Sequence, residues 1–213
     1  MSSAESPTNT EADTSDTPRG LRTLAAQVLT EVLAPWVIVL LLPMAVSWHA
    51  TSHALAPTVG WGMLVALTSS IAPMGVIVWG ARKGRWDGHH VRNRDGRLVP
   101  FLALIGFSLG GLAGLIVGHA PWLLIALDIA MIATLVITGA ITTRWKVSMH
   151  TAVAGGAVLI LAATYTSWLW LLAFAVIAIG WSRVEIRDHT TAQVTGGALV
   201  GALIGGGLYA ALI

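Results

Sequence analysis

Two short polar segments combine histidine, serine and basic side chains at the edges of long apolar stretches. They are RWKVSMH (144–150) and SRVEIRDH (182–189), and their chemically capable residues are Lys146, Ser148, His150, Ser182, Arg183 and His189. The planar fork of an arginine matches the oxygens of a phosphate. One histidine can attack phosphorus while another protonates the leaving oxygen. The two segments therefore predict phosphoryl chemistry, provided that the fold brings them together.

A third polar segment, RKGRWDGHHVRNRDGR (82–97), is rich in cations. It could supply further phosphate-binding side chains. We expect His90, Arg92 and Arg97 to be candidates, and all three segments to face the same side of a membrane.

The composition determines which elements must position these residues. The chain has 213 residues, of which 55% are hydrophobic and 10% charged, whereas soluble domains carry about 25% charged residues. This predicts an all-α, polytopic integral membrane bundle with about six or seven transmembrane helices. Residues 1–20 are expected to be a disordered tail, and 21–213 a transmembrane domain. Periodic apolar residues over 21–32 indicate an interfacial helix or the start of the first span.

Seven apolar stretches are long enough, or nearly so, to cross a bilayer. They are 33–49, 57–81, 98–117, 121–142, 150–166, 168–181 and 193–213. With seven crossings, all twelve Lys and Arg residues fall on one face, which the positive-inside rule assigns to the cytoplasm. Two crossings and a turn must fit between His150 and Arg183, so each helix is short and its polar end is expected to lie at headgroup depth.

The segment 182–189, together with Gln193, resembles a known family signature. Ser182, Arg183, five residues, His189, three residues and Gln193 are similar to the S-R-x5-H-x3-D signature of the type 2 phosphatidic-acid phosphatase superfamily. Val147-Ser148-Met149-His150 resembles its P-S-G-H motif. His90 and Arg97 have the spacing of K-x6-R, although Arg92 and Arg94 are competing candidates for that register.

The resemblance implies a divergent bacterial-type lipid-phosphate phosphatase that needs neither metal nor cofactor. His189 matches the nucleophile that becomes a phosphohistidine, and His150 matches the general acid. Phosphate-binding positions are implied for Ser148, Ser182 and Arg183. From their charge and position we add Lys146, Arg92, Arg97 and His90 as phosphate-binding candidates.

Gln193 stands where the family has the aspartate that orients the nucleophile. Glutamine can accept the histidine N–H bond but supplies no charge to a protonated or phosphorylated ring. The orienting role could instead belong to Asp188 or Glu185. An active enzyme is our interpretation, and the alternative is a non-catalytic lipid-phosphate binding protein or transporter that keeps the shape of the site.

Three other features receive different interpretations. Asp128 lies within a span and is interpreted as a structural hydrogen-bond partner, with a proton or ion pathway as the alternative. Gly197, Gly201 and Gly205 predict close helix packing. The DGHHVR sequence at 87–92 resembles part of the CDP-alcohol phosphotransferase motif, but the further aspartates that bind metal are missing.

Together these features predict a phosphoric monoester hydrolase in the bacterial plasma membrane, with its active site facing the cytoplasm. The expected substrate is a lipid phosphate of the polyprenyl-phosphosugar phosphate or phosphatidylglycerophosphate type. The expected partners are this lipid phosphate and the bilayer, nucleic acid is not expected to bind, and the sequence does not indicate the oligomeric state.

Overall fold

A computed structural model describes residues 20–84 and 98–213, with side chains described from residue 101 in the second range. These residues form helices and no strands. The α-helices are α1 (Leu21–Val32), α2 (Pro35–Ala50), α3 (Leu55–Ala66), α4 (Ala72–Arg82), α5 (Leu98–Val117), α6 (Trp122–Thr142), α7 (Met149–Thr164), α8 (Ala173–Glu185), α9 (Thr191–Val200) and α10 (Gly207–Leu212). The predicted disordered tail falls almost entirely outside the described residues.

Three short segments of altered helical geometry extend these helices. A π-helix at Leu67–Ile71 joins α3 to α4, and another at Gly201–Gly206 joins α9 to α10. A 3-10 helix at Ser167–Leu172 precedes α8. π-helical turns are rare and are frequently found at functional sites.

Several of the helical stretches have the length and apolar character of membrane spans. Four qualify on their own: Leu55–Arg82, Trp122–Thr142, Ser167–Glu185 and Thr191–Leu212. The pair α1–α2, bent by 44°, makes a possible fifth, and Phe101–Val117 and Met149–Thr164 are shorter apolar helices. The predicted all-α membrane bundle is confirmed. Each of the seven predicted stretches is largely helical, whereas the number that cross the bilayer stays a prediction beyond these four or five.

Glycines hold α7 against the last helical stretch of the chain. A Cβ atom at Gly201 would overlap the carbonyl group of Ala152, and one at Gly197 would overlap the carbonyl oxygen of Ser148. Farther along both helices, a Cβ atom at Gly205 would be in van der Waals contact with Gly156, 3.5 Å from its Cα. The close packing predicted for the glycine stripe is confirmed. Because the contacts advance in step along both helices, α7 and α9 run parallel.

The first helix packs across the end of α8. Thr30 Oγ1 lies 3.0 Å from Ser182 Oγ, and Arg22 Nε lies 2.9 Å from a carboxylate oxygen of Glu185. On its other side α1 exposes the apolar residues Leu21, Leu24, Val28 and Val32. The periodic face predicted from the sequence is therefore unpartnered among the described residues, as a helix at a membrane interface requires.

Hydrogen bonds also identify the two ends of the bundle. At one end, Tyr165 donates to the carbonyl of Ala45 at 2.6 Å, close to the turn between α7 and α8. At the other end lie the connections 143–148 and 186–190, which contain the two polar segments of interest. We call this second end the site end.

Candidate active site

The structure brings the polar segments 144–150 and 182–189 together at the site end. The backbone N–H of Ser148 donates to the carbonyl of Gln193 at 3.2 Å. The ammonium of Lys146 donates to the carbonyl of Asp188. Two connections that are about 40 residues apart in the chain are thereby fixed side by side, and the parallel packing of α7 and α9 maintains this arrangement.

His189 is held in one orientation by Gln193. The Nδ1 atom of His189 lies 3.2 Å from Gln193 Oε1, and the backbone N–H of Thr190 donates to the same oxygen at 3.1 Å. Because a backbone N–H can only donate, it identifies this amide atom as the oxygen. Nδ1 must then carry the proton, which leaves a lone pair on Nε2. Gln193 thus contacts His189 from the position where the motif has an aspartate, while its orienting role in catalysis stays a prediction.

Gln193 also helps to cap the N-terminus of α9. Its backbone N–H donates to Thr190 Oγ1 at 3.4 Å, while its side chain bonds the Thr190 N–H, so the two residues form a reciprocal capping box. The same glutamine therefore caps a helix and orients a histidine. Neither of the other proposed orienting carboxylates takes this place, because Glu185 is paired with Arg22 and Asp188 with Arg183.

The imidazole of His189 is electrostatically disfavoured as a cation. Burial in the first place, and then the positive charges of Lys146 and Arg183, lower the pKa of His189 from its ordinary value of 6.5 to about 4. The hydrogen bond to Gln193 and the charge of Asp188 act in the opposite direction and are outweighed. The ring is therefore neutral near pH 7, which is the form that can act as a nucleophile.

Arg183 is buried at the end of α8 and presents its guanidinium to two environments. Its Nη2 lies 2.6 Å from Oδ2 of Asp188, while its Nε is buried without a hydrogen-bond partner among the described residues. An unsatisfied buried donor costs free energy, on the order of 1–3 kcal/mol. An anion that accepted from Nε would remove that cost.

Ser148 provides a second donor of the same kind. It precedes the first residue of α7, is fully buried, and its Oγ has no partner within the part of the chain that the structure describes. The N-terminal turn of α7 contains His150, which is also buried. Free N–H groups at such a helix start favour an anion. The backbone of α7 therefore favours anion binding, as do the unpartnered donors of Arg183 and Ser148.

The hydroxyl of Ser182, for which the motif predicts phosphate binding, has two hydrogen-bond partners within the protein. Its hydroxyl donates to the carbonyl of Ile179 at 2.8 Å and lies 3.0 Å from Thr30 Oγ1. Both contacts belong to the packing of α8 against α1. The phosphate-binding role of Ser182 stays a prediction, and the geometry adds nothing to it.

Asp188 is the residue whose position the sequence did not reveal. The N–H of Asp188 donates to the carbonyl of Arg183 and the N–H of Arg187 to that of Val184, which is the Schellman arrangement at a helix end. Arg187 occupies its left-handed position, with φ of 59°. Glycine usually marks this turn, so an arginine there gave no signal that the chain would fold Asp188 back onto Arg183.

The cation-rich segment 82–97 is described only at residues 82–84. His90, Arg92 and Arg97 lie outside the described residues, as do the competing register at Arg94 and the DGHHVR sequence. Their predicted phosphate-binding roles remain predictions. Within 20–84 and 98–213, no three His, Asp or Glu side chains are grouped as a metal site would require.

An apolar groove starts beside the loop that contains His189. It has a volume of about 450 Å³ and lies among α7, α8 and α9. Its walls run from Val184 and Thr191, next to the loop, to Val176 and Ala198, deeper along the helices. A polar site at the mouth of an apolar groove is suited to an amphiphilic ligand.

Compared with models of protein families, with curated proteins and with solved structures, the chain gives no match in any of the three. The resemblance to the phosphatase superfamily therefore depends on the motif residues and on the geometry described above.

Proposed function

We propose that the protein is a metal-independent membrane phosphatase that hydrolyses a phosphomonoester on a lipid through a phosphohistidine. In this proposal His189 is the nucleophile and His150 the general acid. Lys146, Ser148 and Arg183 bind the phosphate oxygens, together with cationic residues of 82–97.

The observation that carries the proposal is the state of His189. Its Nδ1 is committed to Gln193, its Nε2 keeps a lone pair, and its lowered pKa keeps the ring neutral. Around it lie the cations Lys146 and Arg183, and Ser148, on the same connection as Lys146, adds a buried hydroxyl without a partner. A neutral nucleophile beside cationic and neutral donors is the combination that attack on a phosphate dianion requires.

The reaction can be written in two balanced steps. The Nε2 lone pair forms a bond to phosphorus as the bond to the lipid oxygen breaks, and protonated His150 gives its proton to that oxygen. Neutral His150 then takes a proton from water as the water oxygen attacks phosphorus. The nitrogen–phosphorus bond breaks, inorganic phosphate leaves, and both histidines return to their starting states.

A lipid substrate is supported by the surroundings of the site. The apolar groove among α7, α8 and α9 begins at the loop that contains His189 and continues along α8 and α9, whose helical stretches qualify as membrane spans. One acyl or prenyl chain could lie there while the phosphate stays at the site end. The proposed substrates are a polyprenyl-phosphosugar phosphate or a phosphatidylglycerophosphate, since the basic face of the chain favours a cytoplasmic site in a bacterial plasma membrane.

The alternative function is a lipid-phosphate binding protein or transporter without catalysis. The feature that favours it is Gln193, because an amide offers no negative charge to stabilise the phosphorylated ring. A binding protein of this kind would still need Arg183 and Ser148, but it would not need a nucleophile at His189.

The test is phosphate release by the purified full-length protein in detergent, over a panel of lipid phosphates, with a chelator present. His189→Ala and His150→Ala are the site variants, and His119→Ala, far from both polar segments in the sequence, is the matched control. We expect release that survives the chelator, disappears in the two site variants and persists in the control. Acid-labile radiolabel on the wild type, absent from His189→Ala, would identify the phosphohistidine.

Other results would reject parts of the proposal. Release that the chelator abolishes would indicate a metal enzyme. Binding of lipid phosphate without release, equal in the wild type and His189→Ala, would establish the binding-protein alternative. A reporter showing the C-terminus on the cytoplasmic side would contradict the seven-crossing topology and the orientation that follows from it.

A further inference from the structure

A second polar site lies inside the bundle, away from the site end. Asp128 of α6 is fully buried among apolar neighbours such as Leu124 and Leu127. It ends the first third of a helix of 21 residues, about 9 Å from the start of that helix at roughly 1.5 Å per residue. The proposed phosphatase reaction makes no use of it.

Two serines connect Asp128 to neighbouring helices. Ser69 Oγ donates to Oδ1 of Asp128 at 3.3 Å, and Ser108 Oγ donates to Ser69 Oγ at 3.4 Å. The second carboxylate oxygen, Oδ2, is buried and has no hydrogen-bond partner among the described residues. The three side chains come from three different helical stretches, so the bundle as a whole holds them together.

Ser69 lies in the π-helix Leu67–Ile71, in the middle of the helical stretch Leu55–Arg82. The hydroxyl of the preceding Thr68 bonds the carbonyls of Leu64 and Val65, at 2.9 and 3.2 Å. Backbone groups freed by the altered geometry are thus satisfied locally. Ser69 itself remains available for Asp128, which gives this irregular turn a specific consequence.

The serines open onto a cavity. Ser69 and Ser108 line an almost entirely apolar space of about 210 Å³, while Asp128 lies behind them. On the far side the lining includes Met149 and Ala152 of α7. A hydroxyl relay therefore joins a buried carboxyl group to a space within the membrane region.

Among the described residues, no cationic side chain is paired with this carboxyl group. Asp128 belongs to neither of the two ion pairs found among the described residues. The elements packed around it carry four other titratable side chains: His49 on α2, Arg82 on α4, His150 on α7 and Tyr209 on α10. None of them is bonded to Asp128, and Tyr209 is bonded to Thr164 instead. An uncompensated carboxylate inside a bilayer would be costly.

We infer that Asp128, Ser69 and Ser108 form an intramembrane proton-binding site, in which Asp128 is a neutral carboxylic acid at neutral pH. A proton fits better than a metal cation. Calcium and magnesium take about six or more oxygen ligands, whereas this site offers the oxygens of three side chains. The site exchanges its proton through the serine hydroxyls with water or a ligand in the cavity. This inference does not depend on the proposed phosphatase activity.

Infrared spectroscopy of the full-length protein in lipid vesicles tests the inference directly. A protonated carboxylic acid has a C=O stretch well separated from the carboxylate bands and sensitive to deuteration. We expect such a band near pH 7 in the wild type, its absence in Asp128→Asn, and its loss at strongly alkaline pH. Asp188→Asn is the matched control, because Asp188 is paired with an arginine and its removal should leave the band unchanged.

A second variant keeps the test decisive if Asp128→Asn does not fold. Ser69→Ala removes the hydrogen bond to Oδ1, so the band should persist and move to higher frequency. Finding no deuterium-sensitive acid band in the wild type near pH 7 would overturn the inference. A band that Ser69→Ala leaves at the same frequency would also overturn it, since that band would belong to another group.

Discussion

The carboxylate of Asp188 lies 2.6 Å from Nη2 of Arg183, five residues earlier in the chain. The arginine is almost completely buried, while about 40% of the aspartate side chain is exposed. The protein thus places its own anion on one side of a guanidinium whose Nε, also buried, is unpartnered among the described residues. A phosphate could bind at Nε beside this carboxylate, or displace it.

Asp188→Asn should weaken the protein without ligand and strengthen its response to phosphate. Removing the carboxylate leaves the buried charge of Arg183 uncompensated, and we expect a loss of about 1–3 kcal/mol, between the values for exposed and buried pairs. Added orthophosphate would restore the missing charge. The measurement is thermal unfolding in detergent with and without phosphate, and the phosphate-induced rise in Tm should be larger than in the wild type.

The control for this comparison is Glu185→Gln, which breaks the pair between Arg22 and Glu185. Arg22 is largely exposed, so its loss of a partner should change neither Tm nor the phosphate response appreciably. Equal phosphate responses in Asp188→Asn and the wild type would show that Arg183 does not meet the anion.

Gln193→Ala should reduce kcat about 10- to 100-fold, by analogy with the loss of a group that orients a metal-bound histidine. The imidazole would lose the acceptor that fixes its tautomer. Because Gln193 also caps α9, Thr190→Ala is the matched control: it removes the hydroxyl of the capping box but leaves the contact with His189 in place. Steady-state kinetics should show normal kcat in the control, and equal losses in the two variants would reduce the role of Gln193 to capping.

The pH dependence of kcat/KM should reflect the lowered pKa of His189. The neutral ring is the reactive form, so the acidic limb should stay flat through pH 6.5 and fall only as the pH drops through about 4. In Lys146→Met one of the two lowering charges is gone, so the pKa should rise and the limb move to higher pH.

Arg144→Met is the comparison for that experiment, because Arg144 is a neighbouring cation that is not among the causes of the shift. Its limb should coincide with that of the wild type. A wild-type limb centred near 6.5 would mean that His189 is not held as described, whatever the absolute rates.

Gly201→Ala should be the most damaging single methyl group in the last helix. Its Cβ would overlap backbone atoms of Ala152, which cannot move away as a flexible side chain could. Overpacking of this kind costs about 1–3 kcal/mol. Gly60→Ala, at a helical position with open space around it, should be neutral or stabilising, since alanine is the better helix former by about 1 kcal/mol. Thermal unfolding of both variants would make the comparison, and equal Tm values would contradict the backbone contact.

Hydropathy was sufficient to predict the helices but not their irregularities. The predicted stretch 57–81 corresponds to Leu55–Arg82, and 121–142 to Trp122–Thr142, within two residues at each end. The π-turn at Leu67–Ile71 was not predicted, because its residues have no unusual composition. Ser69 within this turn bonds Asp128, a tertiary contact that no local pattern contains.

The site shows the same division between local and tertiary information. The motif predicted that Gln193 could accept the N–H of His189, and the two side chains are in contact in the structure. The spacing of Ser182 suggested a phosphate contact, but the structure turns its hydroxyl toward Thr30, which is 152 positions away. The contact with Thr30 on α1 orients the hydroxyl of Ser182. The sequence of α1 contains no motif that predicts this contact.

The glycine contacts between α7 and α9 have a mechanical consequence. Ser148 immediately precedes α7, and His189 lies two residues before α9. The two halves of the candidate site are therefore attached to a tightly packed pair of helices. Ligand entry by separation of α7 and α9 would break these backbone contacts, whereas α1 joins α2 through a 44° bend and is bound to α8 through the side chains of Thr30 and Arg22.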